Sequence, residues 1–172
     1  MKIKFSRDKV LLFCIAFLIV AIDQVVKFVI QHFFEVFDTV PVIQDFFYLT
    51  YTQNTGAAYS ILEGNQMFLI LMGLFFSIFF VYFIFSREER LSKLSLISYS
   101  FLMGGVIGNL IDRIVHHYVI DFLSFHFFSY YFPIFNIADI FIVIGFLLIV
   151  LEEVLGKYDE NSCRRRRFRK NR

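Results

Sequence analysis

Tryptophan is absent from the 172 residues, cysteine and proline occur twice each, and only 19% of the chain is charged. Two cysteines cannot form the disulfide framework of a small secreted domain. Cys14 lies in an apolar run and Cys163 in a charged tail, and both are expected to be reduced and structural. Soluble domains usually carry about 25% charged and about 45–50% apolar residues. Here 58% are apolar and 20% aromatic, with 26 Phe and 9 Tyr, and mean hydropathy is +0.67. Disorder, a coiled coil and an ordinary cytosolic enzyme are poor readings of that balance. The length suits one unit, so an active site must be built from the apolar segments themselves.

The formal net charge of +2 conceals an asymmetry, because 15 of the 17 basic residues fall in three blocks. Lys2, Lys4, Arg7 and Lys9 form the first, Arg87, Arg90 and Lys93 the second, and Lys157 with the Arg-rich stretch from Arg164 to Arg172 the third. Between them lie apolar segments at residues 10–30, 67–85, 94–111 and 134–151. Each approaches the roughly 20 residues of helix that cross a bilayer. Short loops rich in Lys and Arg stay in the cytoplasm, which puts both termini and the loop between spans two and three inside. The outer loops are then residues 31–66 and 112–133, and no Lys or Arg occurs in 31–66 or 114–133. A secretory signal peptide is a poorer reading of the N-terminus, since no small-x-small site follows the first apolar run. The stretch Leu11-Leu12-Phe13-Cys14 loosely resembles a lipoprotein acylation site, but Phe13 is bulky where a small residue is needed.

The 36-residue loop 31–66 exceeds an ordinary connection and should be folded or functional. Its run Phe46-Phe47-Tyr48-Leu49-Thr50-Tyr51-Thr52 is aromatic and β-branched and reads as a strand, with Pro41, Gly56 and Gly64 supplying turns. The expected fold is an all-α membrane protein with four transmembrane helices, both termini cytoplasmic. A small, partly β-sheet extracytoplasmic platform lies between helices 1 and 2, its aromatic residues dipping into the interface. Residues 1–156 form a single integral-membrane domain and 157–172 a basic cytoplasmic tail.

Polar residues at membrane depth need a reason, because an Asp near the bilayer centre costs about 2.5–3.5 kcal/mol on insertion scales. Asp23 and Lys27 are spaced i,i+4 in the first span and can pair. Gly104, Gly105 and Gly108 allow close approach of a second backbone at the end of the third span. Asn109 and Arg113 share a face there, and Asp112 stands next to Arg113 and can orient it. Asp121 follows the third span and Asp139 enters the fourth, so both fall near the outer membrane boundary. Two carboxylates sharing an apolar site cannot both ionise readily, so one keeps a proton near neutral pH. Such a pair can activate water and protonate a leaving amine, which is peptide hydrolysis without a metal. Two separate interfacial carboxylates fit the same spacing. A metal site from His116, His117, His126 and an Asp is weaker, since the His-x-x-x-His spacing is missing.

Five ordered blocks resemble the motifs of the lipoprotein signal peptidases, or signal peptidase II. They are Asp23-Gln24-Val25-Val26-Lys27, Asn54-Thr55-Gly56-Ala57-Ala58-Tyr59-Ser60, the run from Gly104 to Arg113, Val119-Ile120-Asp121-Phe122, and Phe135-Asn136-Ile137-Ala138-Asp139. The resemblance covers residues 10–151. It implies an intramembrane aspartic endopeptidase of the bacterial inner membrane, multi-pass, with its active site near the outer face. Its substrates would be prolipoproteins, cut just before the cysteine that carries a diacylglyceryl group. On that likeness Asp121 and Asp139 are catalytic, while Asn54, Asn109, Arg113 and Asn136 hold the substrate backbone or support the pair. Asp23 serves site integrity, with Lys27, Gly104, Gly105, Gly108 and Asp112 as structural neighbours. No cofactor or metal is implied, inhibition by the cyclic peptide globomycin is expected, and nothing requires an oligomer.

Two positions depart from the family's usual wording: Tyr59 stands where Phe is common, and Ile140 follows Asp139 where Ser is frequent. Both bear on substrate fit and neither removes a catalytic group. The Arg-rich tail suits topology and anionic lipid heads better than nucleic acid. A proton-coupled transporter is the principal alternative, but no internal repeat is present and the polar residues gather at one membrane face. A structural membrane subunit would explain the spans without explaining the convergence of Asn, Arg and Asp.

Overall fold

Ser6 opens the first helix: its Oγ accepts from the Lys9 N–H at 3.3 Å, and the apolar run that follows carries α1 (Arg7–Phe33) without a break. The computed structural model describes residues 6–56, 64–86, 91–128 and 130–170, the last helix with side chains as far as Gly156. Part of the motif at 54–60, Tyr59 included, lies outside the described residues, as do Glu63, Arg87, Arg90 and the side chains of the basic tail. After α1 come β1 (Thr39–Ile43), β2 (Phe47–Asn54), α2 (Gln66–Ser86), α3 (Lys93–His116), β3 (Val119–Phe127), β4 (Tyr130–Tyr131) and α4 (Ile137–Lys170).

Three of these helices, α1, α2 and α3, are long and apolar enough to cross a membrane. In α4 the uncharged run is shorter, from Ile140 to Leu151, because Asp139 precedes it and Glu152 and Glu153 follow. The expected fourth span at 134–151 is therefore helical only from Ile137 on, with residues 134–136 leading in along the sheet. α3 is the central helix, packed by α1, α2 and α4. α2 buries only Ile84 among its 21 residues and presents Phe, Leu and Ile outward. An apolar surface of that extent is stable against lipid and unstable in water.

Along its buried face α1 reads Lys9, Leu12, Ala16, Ile19, Asp23, Lys27, Ile30, the three-and-four spacing of one helical stripe. Leu12 and Ala16 join Ile84, Leu96 and Met103 in one apolar core. Ile30 joins Tyr51, Ile120 and Phe122 in a second core beneath the sheet. Asp23 and Lys27 occupy the stretch between the two.

The sheet has four strands in the order β1-β2-β3-β4, antiparallel throughout. This corrects the placement of the platform between helices 1 and 2 alone, because β3 and β4 come from the connection between α3 and α4. The reason is pairing at long range: Phe47 stands opposite Phe125, and Asn54 opposite Val119. A strand whose partner is some 70 residues away has no local signature of that partner. α3 also runs five residues past the expected 111, ending at His116, and the left-handed backbone of its C-cap His117 (φ 65°) closes the last turn.

Close helix contact rests on glycine. A Cβ on Gly105 would lie 2.4 Å from the Ala138 carbonyl oxygen, and one on Gly108 would lie 2.7 Å from Asp23 Oδ2. Gly105→Ala is expected to cost about 1–3 kcal/mol by overpacking. Gly156→Ala, with nothing within 4 Å of the added atom, is expected to cost nothing. Denaturant unfolding in detergent micelles compares the two.

Candidate active site

α4 begins beside β3 because the chain before it is tied to that strand. The Phe122 and Leu123 N–H groups both donate to the Phe135 carbonyl, at 3.1 and 2.8 Å, and Phe135 N–H returns to the Leu123 carbonyl at 3.2 Å. Asn136 then caps the helix. Its Oδ1 accepts from the Asp139 N–H at 3.0 Å, and Asp139 Oδ2 accepts from the Asn136 N–H at 3.2 Å. This reciprocal capping box places Asp139 in the first turn, where the helix dipole favours a carboxylate.

Asp121, buried on β3, faces the same point. Its Oδ1 accepts from Asn136 Nδ2 at 2.6 Å and its Oδ2 from Asn54 Nδ2 at 2.9 Å. Asn136 thus touches both carboxylates. Asn109 Nδ2 donates to Asp139 Oδ1 at 2.7 Å, and Asn109 Oδ1 accepts from Asn136 Nδ2 at 3.1 Å. Each amide orientation is settled by a partner that can only donate: Gly56 N–H at Asn54 Oδ1, Asp139 N–H at Asn136 Oδ1, and Lys27 Nζ at Asn109 Oδ1. Burial, with the Asp139 charge opposite, pushes the Asp121 carboxyl up to about 7.

Behind this arrangement lies a buried ion cluster. Lys27 Nζ is 2.8 Å from Asp23 Oδ2 and 2.8 Å from Asp112 Oδ2, and none of the three side chains is more than 1% exposed. Asp23 Oδ1 accepts from the Ala138 N–H at 2.9 Å, so α1 also caps α4. The expected Asp23–Lys27 pair is present. The expected orientation of Arg113 by Asp112 is not: Asp112 leaves α3 toward α1, where it accepts from Lys27, from Gln24 Nε2 at 2.8 Å and from the Ile120 N–H at 3.2 Å. Adjacent helical residues point about 100° apart, so Asp112 and Arg113 serve different neighbours. Arg113 donates to the Gly56 carbonyl at 3.0 Å and the Asn109 carbonyl at 3.3 Å.

Asn54, Asn109, Arg113, Asp121 and Asp139 line one cavity of about 520 Å³. Its other walls are apolar, from Phe132, Pro133, Ile134 and Phe135 before α4 and from Ile140, Val143 and Ile144 on it. The Nε of Arg113 is buried without a hydrogen-bond partner among the described residues. Asn136 lies beneath, joining the two carboxylates, and Gly104, Gly105 and Gly108 sit at the helix contacts. The histidines occupy separate places: His117 ends α3, His116 stacks on Tyr118 and His126 on Tyr48. Gln24 had no assigned role in the sequence reading, yet it bonds Asp112 and the Gly108 carbonyl. Its position one residue from Asp23 and three from Lys27, in an apolar span, was the available signal.

Asn136→Ala is expected to lower the unfolding free energy by about 0.5–2 kcal/mol through loss of the cap. Asn136→Ser keeps a capping oxygen and is expected to recover most of that, although neither variant supplies the Nδ2 donors. Unfolding followed by circular dichroism distinguishes them.

Comparison with known proteins shows the family. Residues 15–155 match the family described as signal peptidase (SPase) II. A lipoprotein signal peptidase of Bacillus pumilus (strain SAFR-032) is 36% identical over 151 residues, spanning 87% of this chain and 97% of that protein. A bacterial membrane enzyme solved by the in meso method at 2.3 Å superposes with a TM-score of 0.81 at 33% identity, over 92% of this chain and 95% of that one. Another, solved by the same method at 1.9 Å, gives a TM-score of 0.75 at 35% identity, over 88% and 96%. The chain therefore belongs to the signal peptidase II family, the lipoprotein signal peptidases, and is a membrane hydrolase of lipoprotein processing.

Proposed function

We propose that the chain is an aspartic endopeptidase in which Asp121 and Asp139 form the catalytic pair, cutting a prolipoprotein just before its diacylglyceryl-bearing cysteine. The observation that carries this reading is the convergence of three oriented Asn amides on two carboxylates at one end of an apolar groove. One carboxylate takes a proton from water as the oxygen attacks the scissile carbonyl, and the other protonates the leaving amine. Arg113 and Asn54 stand on the polar wall. The Arg113 Nε, without a hydrogen-bond partner among the described residues, is a donor suited to a carbonyl of an extended substrate backbone.

The topology proposed is four spans with both termini in the cytoplasm of a bacterial inner membrane and the site near the outer face. The distribution of basic residues supports it, together with a sheet at the end of the helices where Asp121 and Asp139 lie. The substrate's lipid would lie in the outer leaflet against the Phe-rich helices, its signal helix beside them. The apolar walls at Ile140, Val143 and Ile144 run down α4 in that direction. Residues 1–156 act as a single peptidase domain, a monomer, without metal or cofactor. Globomycin, a cyclic peptide, would bind the groove and block the pair.

Asp121→Asn and Asp139→Asn are each expected to lower kcat by about 10²–10⁴-fold while unfolding stays cooperative. A gel-shift assay with diacylated prolipoprotein, with and without globomycin, reads the loss; full processing by either variant would remove the pair from the mechanism. A carboxyl raised to about 7 holds its proton below that pH and loses it above. With Asp121 as the protonated partner, kcat/KM is expected to fall as pH rises through about 7. A flat profile from pH 6 to about 9 would contradict that assignment.

A further inference from the structure

We infer that Lys27 is a positioning residue for the hydrolytic site, holding Asp139 in place through Asn109. The inference rests on the proposed role of the Asp pair and assigns a function to a side chain that touches neither carboxylate of that pair in the structure.

Lys27 reaches the site from α1 as an almost fully buried ammonium with three partners: Asp23, Asp112 and the Asn109 Oδ1, the last at 3.0 Å. The two carboxylates alone would account for a structural ion cluster. The third partner does not belong to that cluster. Asn109 passes the contact on, because its Nδ2 donates to Asp139 Oδ1 at 2.7 Å. A charged donor on one end of an amide polarises it and strengthens the hydrogen bond at the other end.

The three amides of the site differ in what holds them. Asn54 is oriented by the Gly56 N–H and Asn136 by the Asp139 N–H, both backbone groups that come with the fold. Asn109 is oriented by two side-chain donors, Lys27 Nζ and Asn136 Nδ2, and Asn136 Nδ2 also serves Asp121 at the shorter distance of 2.6 Å. Lys27 is therefore the contributor that belongs to Asn109 and not to the catalytic pair. Ionisable groups facing the site come from every element packed there: Asp23 and Lys27 on α1, Asp112 and Arg113 on α3, Asp121 on β3 and Asp139 on α4. Among these, Lys27 is the cation joined to Asp139 by one intervening amide.

A double-mutant cycle tests this in the full-length protein in detergent, with diacylated prolipoprotein as substrate. Lys27→Met alone would strand two buried carboxylates, so it is made together with Asp112→Asn, a double variant whose cluster keeps the formal charge of the wild type, and Asp112→Asn alone is the reference. The expected result is a kcat about 10- to 100-fold below the reference with KM within about threefold. In an Asn109→Ala/Asp112→Asn background the same Lys27→Met change is expected to alter kcat by less than about threefold. Lys27→Gln/Asp112→Asn, which keeps a neutral donor for Asn109, is expected to recover part of the lost kcat, and it serves also where the Met variant does not fold. Equal losses with and without Asn109 would overturn the inference and leave Lys27 a structural residue. So would a rise in KM without a fall in kcat, or a Gln variant no better than Met. Asp139→Asn is run alongside: if it remains active the Asp-pair reading fails, whereas an inactive Asp139→Asn with an additive cycle sinks the positioning role alone.

Discussion

One buried ammonium organises the end of this molecule that carries the sheet. Lys27 sits between Asp23 and Asp112 with no more than 1% of any of the three side chains exposed. Removing one member of such a cluster characteristically costs about 3–5 kcal/mol, because the partners are left as uncompensated buried charges. The cluster fastens three elements together. Lys27 links α1 to α3 through Asp112, and Asp23 links α1 to the first turn of α4 through the Ala138 N–H. Asp112 in turn accepts from the Ile120 N–H, which sets the strand that carries Asp121. Both carboxylates of the site therefore stand on elements positioned by the same polar centre.

The surroundings make that centre stable. One apolar core packs α1, α2 and α3 on one side of it, and a second core packs the ends of α1 and α4 beneath the sheet on the other. Ion pairs between two dry layers are shielded from water and hold their geometry. The glycines of α3 serve the same end by bringing backbones into contact: Gly105 meets the Ala138 carbonyl and Gly108 meets the Asp23 carboxylate. Side chains there would push α4 and its capping box away from Asn109. A rigid polar centre and an apolar groove beside it suit the lipid-bearing peptide substrate proposed above.

Much of this was legible before the fold. The apolar segments around α1, α2 and α3 coincide with helices, and the Asp23–Lys27 pair followed from its helical spacing. Asp121 and Asp139 stood out as carboxylates in apolar surroundings, and the structure brings both to one cavity with Asn54, Asn109 and Arg113. Other features were hidden. Asp112 follows α1 and not its neighbour Arg113, because direction around a helix is fixed by what packs on each side. β3 was missed because its partner β2 lies far away along the chain.

By itself the sequence determined the membrane class and the identity of the chemical groups, since hydropathy and residue type are local properties. Only the tertiary structure decided which groups meet. The capping of α4 by Asp23 spans 115 residues and the contact of Asn54 with Asp121 spans 67. Such contacts depend on the directions in which helices and strands pack, and a directional hydrogen bond forms only where packing brings donor and acceptor within about 3 Å of each other.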